Sequence, residues 1–115
     1  MNNIRLIINN EHFKNEKEKF FIKKELQSIL NLYAKMVSNG SWKDYSFTSG
    51  VKEVSFNVYQ RTSDKPVLRI LKNLKPKYLN EKYLIKDKNG IILKKSENLN
   101  LLINKTSWNK LRLVK

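Results

Sequence analysis

Apolar residues recur with two different periods along this chain, and the change of period divides it. From Ile22 the positions Ile22, Leu26, Ile29, Leu30, Tyr33 and Val37 follow i, i+4, i+7, i+8, i+11 and i+15, while Lys24, Gln27, Asn31 and Lys35 fall on the opposite side. That is the 3.6-residue period of an amphipathic helix. The helix starts near Phe20, and Asn39-Gly40 ends it, because glycine enters the left-handed conformation that closes a helix C-terminus. The apolar stripe also reaches Phe21 and Leu32, which makes it wide for one sheet to cover.

Beyond Gly40 the period becomes 2. In VKEVSFNVYQ, Val54, Phe56 and Val58 alternate with Ser55, Asn57 and Tyr59, as in a half-buried strand. RTSDKP supplies turn residues, and VLRIL follows with Leu68 and Ile70 flanking an outward Arg69, so these runs predict an antiparallel hairpin. KNLKPKYLNEK is lysine-dense, carries Pro76, and reads as an exposed connection with room for a helical turn. YLIKDKNGIILKK is a second hairpin whose loop length follows from register, since a one-residue slip exchanges the faces. A two-residue Asn-Gly loop would set Lys86 and Lys88 beside Ile91 and Leu93. A three-residue loop of Lys88, Asn89 and Gly90, with Gly90 left-handed, groups Tyr83, Ile85, Ile91 and Leu93 on one face and Leu84, Lys86, Ile92 and Lys94 on the other. The three-residue loop is therefore expected. Ser96 is placed to cap a short second helix with Glu97 in its first turn and Leu99, Leu102 and Ile103 inward. Leu111 and Leu113 alternate as in a final strand.

Ahead of the first helix, IRLII and the polar run NNEHFKNEKEK read as an edge strand and an arm over residues 1–19, leaving 20–115 as a single domain. The expected class is α+β: an N-terminal amphipathic helix, an antiparallel sheet of about four strands with helices on one face, and a short C-terminal helix. No internal repeat is evident.

Composition then removes most chemistry. There is no cysteine and one histidine, His12, so neither a thiolate nucleophile nor a histidine or cysteine metal site can be assembled, and no cofactor is expected. A serine nucleophile has no base, and Asp44, Asp64 and Asp87 form no spaced carboxylate pair. Gly40, Gly50 and Gly90 are too scattered to cradle a phosphate. The sequence is read as non-enzymatic. No apolar run approaches the roughly 18 residues that span a bilayer, IRLII is too short for a signal peptide, and the polar face of the first helix carries little charge, so the expectation is a cytoplasmic protein with no membrane role. Trp42 and Trp108 are expected in the core, where large aromatics contribute most to a small domain.

Charge changes the picture further. Lys plus Arg number 24 against 10 Asp plus Glu, a net +14, and 20 of the 24 are lysine. Lys, Asn and Ile share A/T-rich codons, so base composition alone accounts for much of the total. It does not account for the asymmetry, because residues 72–115 hold 12 basic against three acidic residues, a net +9.

LNLYAKMVSNGSWKDYS, then VSFNVYQRTSDKPVLRI, GIILKKSENL and the closing KLRLV, in that order and spacing, resemble the alphaproteobacterial domain-of-unknown-function family numbered 2794, from about Phe21 to the C-terminus. The resemblance implies a small bacterial intracellular protein and brings no activity, cofactor or catalytic residue with it. The family uses arginine more, so the lysine richness is a feature of this chain.

Two basic surfaces are candidates for RNA or DNA. The outward sheet face would carry Asn57, Tyr59, Arg69, Lys86 and Lys94, an aromatic platform among cations on which a base could stack. The series Lys72, Lys75, Lys77, Lys82, Lys86, Lys88, Lys94 and Lys95 could follow a phosphate backbone without reading sequence. The residues expected to bind are Tyr59, Arg69, Lys72, Lys75, Lys77, Lys86, Lys94 and Lys95. With no zinc finger, RNP signature or Gly-x-x-Gly clamp, such binding would have little sequence specificity. The alternative is a protein-protein interaction or regulatory module, with another protein seated on an exposed apolar patch of the first helix.

Overall fold

A computed structural model describes residues 18–61 and 65–108. Helix α1 occupies Lys23–Ser38. Ile22 at its N-cap has no side-chain oxygen, and Glu25 reaches back so that its Oε1 accepts the Ile22 N–H at 2.8 Å, which satisfies one of the donors that a helix start leaves open. The other end closes as Asn39-Gly40 predicts. Gly40 has φ 84°, its N–H donates to the Val37 carbonyl, and the Ser41 N–H donates to that of Met36, the two bonds of a Schellman closure.

Five strands follow, β1 Asp44–Ser49, β2 Glu53–Tyr59, β3 Leu68–Asn73, β4 Tyr83–Asp87 and β5 Ile92–Ser96, joined as an antiparallel meander in chain order. Among the described residues the count is five rather than about four because DYSFTS, rich in residues that favour turns, forms β1 by pairing with β2. One 3₁₀ turn, Leu79–Glu81, interrupts the lysine-dense connection between β3 and β4, and helix α2, Leu99–Asn104, ends the described chain's regular structure. Asn98, not Ser96, caps α2 by accepting the Leu101 N–H. Ser96 is instead the last residue of β5, opposite Tyr83. The readings that fall on residues 4–8, His12, Asp64 and Leu111–Leu113 lie outside the described residues.

The core lies between the helices and one sheet face. Val54, Phe56 and Val58 of β2, Leu68 and Ile70 of β3, and Tyr83 and Ile85 of β4 pack there with Ile29, Leu32 and Met36 of α1 and Leu99 and Leu102 of α2. Phe56 is the centre of an aromatic group, its ring 5.3 to 6.0 Å from those of Phe47, Tyr45 and Tyr33. Trp42 is buried and meets half-buried Trp108 edge to face at 5.8 Å.

Two details of register correct the sequence reading. The β4–β5 loop is the expected three residues, with Gly90 at φ 83° and its N–H donating to the Asp87 carbonyl. Lys86 then faces Ile92 as anticipated, but a bulge at Leu93 places Lys94 opposite inward-facing Ile85 and Lys95 opposite Leu84. Lys95 rather than Lys94 thus joins the outer face. The second correction concerns α1. Its buried positions are Glu25, Ile29, Leu32 and Met36, whereas Leu30 and Val37, assigned inward by the apolar count, are each 40% exposed. A charged residue sits on the inward stripe, and its partner explains why.

This rotation makes a direct prediction. Met36→Ala should cost about 2–4 kcal/mol of unfolding free energy in urea titrations, and Val37→Ala no more than about 0.5 kcal/mol. The reverse order would restore the stripe counted from the sequence.

Candidate functional site

Lys72 follows Leu68 and Ile70 at the strand period, and that alternation turns it inward. It is 1% exposed. Its ammonium donates to Glu25 Oε1 at 2.8 Å and to the Phe20 carbonyl at 3.1 Å, and pairs with Glu18 Oε1 at 2.6 Å, so all three donors are engaged. Glu25 Oε2 in turn accepts from the Tyr83 hydroxyl. Burial, then this hydrogen bond, then the negative charges of Glu25 and Glu18 push the Tyr83 phenol well above its ordinary value. Lys72 is therefore removed from the set of residues expected to touch a phosphate backbone, because its charge is spent inside the fold.

The remaining expected residues divide. Arg69 and Lys86 face one another on the outer face of β3 and β4, with Lys95 beside Leu84 and Tyr59 on β2. This face is not an open platform. Asn57 is buried, donating to Ser46 Oγ at 3.1 Å and Thr48 Oγ1 at 2.9 Å and accepting from Ser55 Oγ. The Tyr59 hydroxyl is tied to Ser46 Oγ, and Leu71 and Leu84 on the same face are 2% and 8% exposed. Lys95 also leans 3.7 Å from Glu81. Lys94 stands at the β5 edge, apart from these.

Lys75 and Lys77 belong to a different place, the end of the sheet at which α1 begins. Here the β1–β2 turn and the β3–β4 connection are tied together, the Leu74 N–H donating to the Lys52 carbonyl and the Asn73 N–H to that of Lys82. Lys19 and Lys75 line one hollow at this end, and Lys24 and Lys82 line another. With Lys23, Lys52 and Lys77 that makes seven lysines from three segments of chain. Tyr78, 57% exposed, carries the Lys77 ammonium 5.6 Å from its ring centre, and Leu79 beside it is exposed. Five acids share this end. Glu18 and Glu25 are held by Lys72 and Glu81 by Lys95, while Glu53 and Glu97 are exposed. The α1 macrodipole adds positive potential here. Lys19, Lys23, Lys24, Lys52 and Tyr78 are not among the residues the sequence marks for binding, and only the fold brings the first four to the lysine-dense connection. Tyr78 in Lys-Pro-Lys-Tyr was the one local signal.

Among the described residues no group of three or more His, Asp or Glu is placed to hold a metal ion, and no helix is long and apolar enough to cross a membrane. The fold and its surfaces define a small α+β protein, a helix-covered antiparallel meander with a cationic end. Residues 19–103 match the model of the family described as protein of unknown function DUF2794, and the chain belongs to that family. Among curated proteins and solved structures, nothing matches the chain.

Two outcomes follow from the buried network. Lys72→Met should lower unfolding free energy by about 3–5 kcal/mol, because it leaves buried carboxylate unpaired, and adding Glu25→Gln should recover at least half of that loss in the same urea titration. The raised Tyr83 pKa gives stability that is fully present below the unfolded phenol value near 10 and is lost as pH rises beyond it. Tyr83→Phe should therefore flatten the fall of melting temperature at alkaline pH.

Proposed function

We propose that this protein is a non-enzymatic module that binds the phosphate backbone of RNA or DNA, with little sequence specificity, through its cationic end. The observation that carries this reading is the convergence of Lys19, Lys23, Lys24, Lys52, Lys75, Lys77 and Lys82 at one end of the sheet, where the exposed Tyr78 lies under the Lys77 ammonium. Ammonium groups spread over several segments neutralise successive phosphates, and an exposed phenol ring offers a face to an unstacked base. Among the described residues both helices pack on the sheet and every strand is paired within it, which agrees with weak sequence preference. Cytoplasmic residence in a bacterium is part of the same proposal. Arg69 and Lys86 are like charges directly opposed across β3 and β4, a placement that costs stability and that a bound anion relieves; they form a secondary contact for a longer strand.

A protein-binding role has one observation in its favour. Leu30 and Val37 of α1 and Tyr45 of the edge strand β1 are each 40% exposed. A partner seated there would be insensitive to the lysines at the cationic end.

Titration of labelled single-stranded RNA and duplex DNA over a salt series, beside an unfolded lysine-rich peptide of equal charge, separates the readings. Folded recognition predicts affinity above the peptide and a log–log salt slope of about −3.5 to −5 for single strands, from about five to seven phosphate contacts. Tyr78→Ala should weaken single-strand binding about tenfold. Affinity equal to the peptide, with no effect of Tyr78→Ala, would reject nucleic acid in favour of the protein partner.

A further inference from the structure

At the cationic end an apolar hollow of about 400 Å³ opens between Lys19 and Lys75. Val51, 82% exposed, and Leu74 form its walls, Gly50 leaves a stretch of wall without a side chain, and Glu18 lines it as well. The Oε1 of Glu18 is held by the Lys72 ammonium, so this carboxylate is fixed as an acceptor at the margin of a largely apolar space that Ser49 also lines. Val51 is unusual in its exposure, since a valine at a turn tip gains nothing there from burial.

We propose that this hollow holds one unpaired, amino-bearing nucleobase of a single strand, with Lys19 and Lys75 on the flanking phosphates. The inference rests on the nucleic-acid reading above and adds to it the form of the ligand and a base preference. The volume falls within the range of small-ligand pockets and is ample for one base, which reaches the hollow only after leaving its stack. The walls fit its flat apolar face. A carboxylate accepts from an exocyclic amino group such as cytosine N4 and repels a carbonyl at the same position, so cytosine is favoured over uracil. The lysines on both sides give the charge complementarity that sets a nucleotide apart from a neutral apolar guest.

The test uses the full chain with labelled oligocytidine, oligouridine and duplex RNA of matched length, with vesicles containing phosphatidylserine as a further arm. Oligocytidine should bind at least about threefold tighter than oligouridine, and both tighter than the duplex. Val51→Ser, a change at an exposed position, should weaken oligocytidine about threefold and leave the salt slope unaltered, because no phosphate contact is lost. Glu18→Gln should abolish the cytosine preference, with its melting temperature measured in parallel. If that variant does not fold, the cytosine-to-uracil ratio of the wild type and the effect of Val51→Ser decide the matter. Equal affinity for the two oligomers, or no effect of Val51→Ser, overturns the base pocket while leaving backbone binding intact. Failure of every RNA to exceed a polycation control overturns the underlying reading as well. Binding to the vesicles alone, weakened by Val51→Ser, assigns the hollow to lipid and rejects the proposal.

Discussion

An ammonium group cannot be buried without a partner, and the inward placement of Lys72 on β3 imposes that condition on the rest of the fold. Removing an ion from water costs several kcal/mol even after relaxation, so the pair survives only if every donor and oxygen is engaged. Glu25, Glu18 and the Phe20 carbonyl meet the condition for Lys72. Turning Glu25 inward fixes the rotation of α1, since Ile29, Leu32 and Met36 lie four, seven and eleven residues on and must follow it. Leu30 and Val37 are then turned toward solvent. The same carboxylate caps the start of α1 and accepts from Tyr83, so one side chain joins helix start, β3 and β4.

The position of that pair also decides where surface charge accumulates. Lys72 lies near the end of β3, and anchoring Glu25 to it brings the start of α1, with Lys19, Lys23 and Lys24, beside the β1–β2 turn and the β3–β4 connection. Lysines distant in sequence thereby share one end, while the two acids best placed to offset them, Glu18 and Glu25, are committed to Lys72. At the opposite end, Lys43, Arg61, Lys65 and Lys88 are interspersed with Asp44 and Asp87. Asp87 there is occupied with loop geometry, its carboxylate accepting the Asn89 and Ile91 N–H groups. The two ends differ in what their acids do as well as in their lysine count.

Local signals carried much of the fold. The inward alternation of β2, the left-handed Gly40 and Gly90, and the three-residue loop are each set by a few neighbouring residues, and each was legible. What was not legible depends on pairs far apart in sequence. The helix phase was misread because apolar counting gives Glu25 no reason to face inward until Lys72, 47 residues later, is known to be buried. Strict alternation through Leu68, Ile70 and Lys72 did contain the clue. Strand β1 was hidden by serine and threonine, although Tyr45 and Phe47 already alternated. The bulge at Leu93, which exchanged Lys94 for Lys95, leaves no mark in the pattern. The charge of a segment does not reveal that Lys19 and Lys75 line one hollow.

Nitrogen–proton correlation spectra of the labelled protein, recorded as single-stranded oligocytidine is added, locate the site most directly. Shifts concentrated in residues 19–24, 50–52 and 74–82, with residues 39–43 and 88–91 unmoved, are the predicted result. Shifts scattered in proportion to lysine content, or centred on the outer face at Arg69 and Lys86, would contradict a binding site built at the cationic end.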